Sequence, residues 1–212
     1  MPIFFAVLAL AGFAYIAILL KTTGLGSFDS QVYSQVSRFI TPRTTTVMKG
    51  ITASCSIPVV GVILVVLCLI GIKNRRLRFQ NFMMLVNVAG AWLLNYLLKA
   101  VFQRQRPALE QLTAETGFSF PSAHAMVGVA FYGYLIYLCV RFLWKPWNKV
   151  CAVLLTLLIV AIGISRIYLG VHYASDVVAG LLCGTAWVLI FVSLVGRVNE
   201  KKSMGNHVLR SR

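Results

Sequence analysis

Two histidines, four cations and one carboxylate fall in three short polar stretches at the ends of apolar runs. The first covers residues 99–107. Lys99 and Arg106 are seven residues apart, so a helix reaching that far would stack both cations on one face before Pro107 ended or kinked it. A stacked pair of this kind suits an anion with several oxygens, which Arg can grip bidentately. The second stretch is Phe120-Pro121-Ser122-Ala123-His124. Ser122 reads as a helix cap, and the free backbone N–H groups of the turn that follows would make an anion site beside His124. An imidazole there, with an ordinary pKa near ~6.5, suits proton transfer at neutral pH. The third stretch holds Ser165-Arg166, His172 and Asp176. His172 and Asp176 are four apart and share one face of a helical entry. A carboxylate beside an imidazole fixes its tautomer and leaves the other nitrogen free to attack.

Each stretch also has a plainer reading. Lys99, and Arg104 still more readily, could snorkel to lipid headgroups. His124 could rest at the membrane interface, and Asp176 could serve a helix dipole, alone or together with a catalytic role. The weight lies in the set. Two of the chain's three histidines fall in these stretches, beside Lys99, Arg106, Arg166 and Asp176. Together with a helix N-terminus they compose a site for phosphoryl transfer, where catalysis is chiefly positioning and charge stabilisation. A divalent metal held by both histidines and Asp176 is a second reading, opposed by the three cations nearby. A non-enzymatic transporter of anionic lipid is a third, opposed by the absence of a convincing internal repeat.

These residues must be positioned by membrane helices. The chain is 59% hydrophobic and only 12% charged, against about 25% charged in a typical soluble domain. Its apolar residues gather in runs of the length that crosses a bilayer, at about 2–20, 51–72, 79–102, 123–143, 150–165 and 175–195. The expected fold is all-α, a polytopic compact bundle of six transmembrane helices. Between the first two spans, Phe28, Val32, Val36, Phe39 and Ile40 recur at helical spacing, which predicts a short amphipathic interfacial helix with Asp29 or Ser30 at its cap. Residues 1–196 then form a single domain, followed by a polar cytoplasmic tail at 197–212 without fixed structure.

The net charge of +15 does not call for nucleic acid, because the basic residues lie in the loops between spans rather than on a basic helix. Twelve Lys and Arg fall on the side of the 73–78 loop and the C-terminal tail, and eight on the other. The positive-inside rule puts both termini in the cytoplasm of a multi-pass plasma-membrane protein, with the three polar stretches on the outer face. The five cysteines are odd in number, lie in apolar runs and show no CxxC spacing, which points to neither disulfides nor zinc. Gly180 and Gly184 form a GxxxG in the last span, suited to close packing within the bundle.

The three stretches together resemble the signature of the type-2 phosphatidic acid phosphatases, or lipid phosphate phosphatases. K-x6-R-P appears as Lys99 through Arg106-Pro107, P-S-G-H as Pro121-Ser122-Ala123-His124, and S-R-x5-H-x3-D as Ser165-Arg166, His172 and Asp176. Ala123 stands where the family usually carries glycine, a small enough change wherever the local φ is negative. The resemblance implies an integral membrane lipid phosphatase acting on a lipid phosphate or diphosphate in the bilayer, with a lipid phosphotransferase as the near alternative; the small size and outward-facing site favour undecaprenyl diphosphate or phosphatidylglycerophosphate over phosphatidic acid or diacylglycerol pyrophosphate. It implies that His172 attacks phosphorus to give a phosphohistidine, Asp176 supports it, and His124 protonates the leaving oxygen and then activates water. Lys99, Arg106, Ser122, Ala123 and Arg166 would hold the phosphate, with no cofactor and no metal, since the cations supply the charge stabilisation. Oligomeric state is left open.

Overall fold

The structure, a computed structural model, describes residues 1–210, with side chains described through Arg197. Among the described residues there are eight helices and no strand. Helix α1 covers Pro2–Thr22, α2 Gly26–Ser37, α3 Pro42–Ala53, α4 Ile57–Gly71, α5 Arg75–Phe102, α6 Ala123–Phe142, α7 Trp147–Tyr168 and α8 Ala174–Arg210. Five of these (α1, α5, α6, α7 and the Ala174–Arg197 part of α8) are long and apolar enough to span a bilayer. A sixth candidate span is α3 and α4 together, bent by 45°. The six-span expectation holds, but the second span begins earlier than its apolar run suggested. A capping box between Thr41 and Thr44, with Pro42 at the first helical position, starts α3 inside a threonine-rich stretch that carries no apolar signal.

Two further boundaries depart from the sequence reading. Helix α5 stops at Phe102, where Gln103 turns left-handed (φ 47°) and its N–H closes on the Lys99 carbonyl at 3.0 Å. Lys99 and Arg106 therefore do not stack on one helix. Lys99 stays on α5, and Arg104 and Arg106 ride the 103–122 loop. At the other end of the chain, α8 continues to Arg210 through the stretch expected to be a loose tail; residues 211–212 of that tail lie outside the described residues.

The bundle packs around α6 and α8. Gly180 and Gly184 of α8 face the α6 backbone so closely that a Cβ would sit 2.7 Å from the Ser122 carbonyl and 2.6 Å from that of Met126. Small residues at such a crossing let backbones approach where lipid supplies no hydrophobic drive to association. We expect Gly184→Ala to force the helices apart and cost about 1–3 kcal/mol, read as a lower unfolding temperature in detergent. An unchanged temperature would show that the crossing is slack.

Buried polar side chains lock the remaining spans. Asn87 of α5 donates to the Ala130 carbonyl of α6 at 2.7 Å and accepts from the Trp187 indole of α8 at 2.9 Å. Tyr134 donates to Gln80 at 2.7 Å. The amphipathic helix is present as α2, with Val32, Tyr33 and Val36 seated against Ala125, Ile167, Ala174 and Val177. Its start is not capped by Asp29 or Ser30. The N-cap is Leu25, and Asp29 points inward and is only 3% exposed.

Candidate active site

Loops 103–122 and 169–173, the first turns of α6 and α8 and the ends of α5 and α7 meet at one end of the bundle. The Ser122 N–H donates to the Asp176 backbone carbonyl at 3.0 Å, which fixes the starts of α6 and α8 against each other. All three polar stretches therefore meet around one buried spot. Ser122, Arg166, His172 and Asp176 are almost fully buried, the carboxylate completely.

His172 lies in the 169–173 turn with its Nδ1 edge turned to α8. Its Nδ1 is 3.6 Å from Asp176 Oδ2, longer than a good hydrogen bond, and Ser119 bridges the gap. The Ser119 hydroxyl is 3.3 Å from His172 Nδ1 and donates to Asp176 Oδ2. Asp176 Oδ2 also accepts the Tyr173 backbone N–H at 3.0 Å, so the carboxylate serves the helix N-terminus and the imidazole at once. The Nε2 edge points the other way, 3.4 Å from Arg106 Nη1. Burial drives the His172 imidazole down to about 4, against the pull of Asp176, so the ring is neutral near pH 7.

The cations are held largely by oxygens of the loop. Lys99 donates to the Phe118 carbonyl. Arg106 donates to the carbonyls of Gly117, Thr116 and Val171 at 2.8–3.0 Å. Arg166 donates to Thr52 of α3 at 2.8 Å, which is why the bent span matters to the site. The Arg166 Nε and the Ser122 hydroxyl are both buried without a hydrogen-bond partner. Ser122 is the N-cap residue of α6, as expected, but its side chain makes no capping bond. Among the described residues only Gln103 combines a side chain with a positive φ, so Ala123 opens α6 at a negative φ that its methyl tolerates. His124 follows in the first turn, with Arg166, Glu115, His172 and Arg106 as the charged groups around it.

Three features escaped the sequence reading. Glu115 lies across the cationic cradle, paired with Arg166 and 3.5 Å from Arg106. Burial alone would raise its carboxyl, but Arg166, His124 and Arg106 outweigh it and hold the group below the usual carboxylate range. Ser119, the hydroxyl between His172 and Asp176, lies outside all three motifs. Arg104, expected to reach for headgroups, instead turns inward to Asp176 at 2.6 Å and Asp29 at 2.7 Å. The sequence offered a single hint of these pairings, the isolated acids in a chain with only five.

Among the described residues no group of three or more His, Cys, Asp or Glu is arranged to hold a metal ion. Asp176, the carboxylate a metal would need, already receives Arg104, Ser119 and the Tyr173 N–H.

Comparison with known proteins agrees with this architecture. The model of the PAP2 superfamily matches residues 80–200. Phosphatidylglycerophosphatase B of Bacillus subtilis (strain 168) is 31% identical over 195 residues, covering 89% of this chain and 92% of that protein. A putative undecaprenyl-diphosphatase, YbjG of Escherichia coli (strain K12), is 33% identical over 133 residues, covering 60% of this chain and 62% of that protein. The crystal structure of a transmembrane PAP2-type phosphatidylglycerolphosphate phosphatase from Bacillus subtilis superposes with a TM-score of 0.85 at 27% identity, covering 91% of this chain and 96% of that one. A match over more than half the chain, a relative aligned over nearly its whole length and six candidate spans converge on one conclusion: the chain belongs to the PAP2 superfamily, as a multi-pass membrane lipid phosphatase.

Proposed function

We infer that this phosphatase hydrolyses a lipid phosphate or diphosphate through a phosphohistidine on His172, on the outer face of the plasma membrane and without metal. The observation that carries the reading is the orientation of His172. Its Nδ1 edge is taken up by Ser119 and Asp176, and its Nε2 edge faces the Arg106 guanidinium, where a phosphate oxygen would be held. The partnerless Arg166 Nε and Ser122 hydroxyl would supply further donors, and the Glu115 carboxylate already resting on both guanidiniums supports their affinity for an oxyanion.

With the proton on Nδ1, the Nε2 lone pair attacks phosphorus. The bond from phosphorus to the lipid oxygen breaks, and protonated His124 gives its proton to that oxygen. Neutral His124 then takes a proton from water, and the resulting hydroxide attacks phosphorus. The N–P bond breaks, its electron pair returns to Nε2, and inorganic phosphate leaves. Lys99, Arg106, Arg166, Ser122 and the first-turn N–H groups at Ala123 and His124 hold the three non-bridging oxygens, whose charge is the chief thing to stabilise.

The names of the relatives favour phosphatidylglycerophosphate or undecaprenyl diphosphate as substrate. The excess of Lys and Arg at the opposite end of the bundle supports cytoplasmic termini and an outward-facing site, within one domain covering residues 1–196. Purified protein in detergent, given undecaprenyl diphosphate, phosphatidylglycerophosphate and phosphatidic acid with excess chelator, should release inorganic phosphate from at least one of the first two. Release abolished by chelator would overturn the metal-free reading, and release from phosphatidic acid alone would overturn the substrate assignment.

A further inference from the structure

Arg104 lies outside the phosphate cradle but reaches the carboxylate behind His172. Its Nη1 donates to Asp176 Oδ1 at 2.6 Å and to the Ser175 hydroxyl at 2.8 Å, and its Nη2 donates to Asp29 Oδ2 at 2.7 Å. The guanidinium lies 3.9 Å over the Tyr173 ring, which leaves its plane little freedom. Asp29 is anchored in turn, accepting the Ser175 N–H and hydroxyl, each at 2.8 Å. The arrangement costs desolvation of two carboxylates, 0% and 2% exposed, sharing one guanidinium that is itself 14% exposed.

A cation satisfying only a headgroup would not be built this way. Asp176 divides its oxygens: Oδ1 goes to Arg104, while Oδ2 faces Ser119, the Tyr173 N–H and His172. Holding Oδ1 fixes the rotation of the carboxylate and therefore where Oδ2 points. The second arm of the fork extends the same constraint to α2, the amphipathic helix.

We propose that Arg104 is a positioning residue that aims Asp176 at His172, and that Asp29 couples this aim to the seating of α2, so that the interfacial helix is part of the catalytic relay. This rests on the reading of His172 and Asp176 given above. The role needs both arms and both charges. Lysine, a single point charge without a fork, cannot serve both carboxylates.

Steady-state kinetics of the full-length protein on short-chain phosphatidylglycerophosphate in detergent micelles test it. Arg104→Gln should lower kcat by about 30–100-fold with KM within about threefold, as expected for a residue that acts on the transition state rather than on substrate binding. Arg104→Lys should recover part of the loss, and Asp29→Asn should lower kcat by about 3–10-fold on its own. Added to Arg104→Gln, Asp29→Asn should cost nothing more, because Asp29 acts through Arg104. Wild-type kcat in Arg104→Gln would overturn the proposal, as would a loss confined to KM, which would place Arg104 on the substrate. If Arg104→Gln does not fold, Asp29→Asn decides, and an unchanged kcat there overturns the link to α2. Asp176→Asn separates the two ideas. Full activity in it sinks the His172–Asp176 reading itself, whereas an inactive Asp176→Asn beside a fully active Arg104→Gln sinks this inference alone.

Discussion

His172→Ala should abolish turnover, a fall of at least about 10⁴-fold in kcat, because on the proposed mechanism it removes the covalent nucleophile and leaves only the cationic cradle to help water. The variant should still fold. Its carboxylate partner, Asp176, keeps Arg104, the Ser119 hydroxyl and the Tyr173 N–H, and Arg106 keeps its carbonyl acceptors, so no buried charge is orphaned. The measurement is phosphate release from a lipid phosphate, with acid-labile, base-stable radiolabel on the protein as the trace of phosphohistidine. Label surviving in the variant would move the nucleophile elsewhere.

The same histidine sets a pH signature. Burial lowers its pKa to about 4, so the proposed nucleophile stays neutral through pH 5–7, and its protonation should cut kcat/KM only below about pH 4. In the unfolded chain the imidazole titrates near about 6.5. Between the two values the unfolded state binds the extra proton, so stability is fully present above the upper one and declines as pH falls toward the lower. His172→Ala should lack this part of the acid destabilisation.

The spans and the site were readable for different reasons. A bilayer demands apolar residues on every lipid-facing turn, so α1, α5, α6, α7 and α8 announce themselves by composition alone. The candidate site residues stand out because ionisable side chains such as His and Asp are costly within a span and rare there. What stayed hidden is geometry without a local signal. The end of α5 at Phe102 depends on Gln103 adopting a conformation that glycine usually marks. The extension of the second span into α3 rests on threonines, which read as loop, while their hydroxyls in fact meet the Tyr168 hydroxyl of α7 at 2.7–3.0 Å. Glu115 meets Arg166 across 51 residues, and Arg104 meets Asp29 across 75. Such pairs leave no periodicity, so each partner alone looks like an ordinary surface charge.

His124→Ala separates the two halves of the reaction. With a lipid phosphate, whose alkoxide must be protonated to leave, kcat should fall by about 10²–10⁴-fold, the usual worth of a positioned general acid. With nitrophenyl phosphate, whose leaving group needs no proton at neutral pH, formation of the phosphohistidine should be largely spared. Water activation should still fail, so phosphoenzyme should accumulate to near one label per protein and hydrolyse slowly. The scaffold gives this test a clean background. The start of α6 is fixed by the Ser122 N–H on the Asp176 carbonyl and by the tight seat of Gly180, and the Cys55 thiol donates to the backbone carbonyl of His124 rather than to its ring. Removing the imidazole should therefore leave the proposed phosphate cradle where it was. Equal losses on both esters with no trapped phosphoenzyme would mean that His124 only holds phosphate, and the acid–base role would have to pass to another group on the same rim.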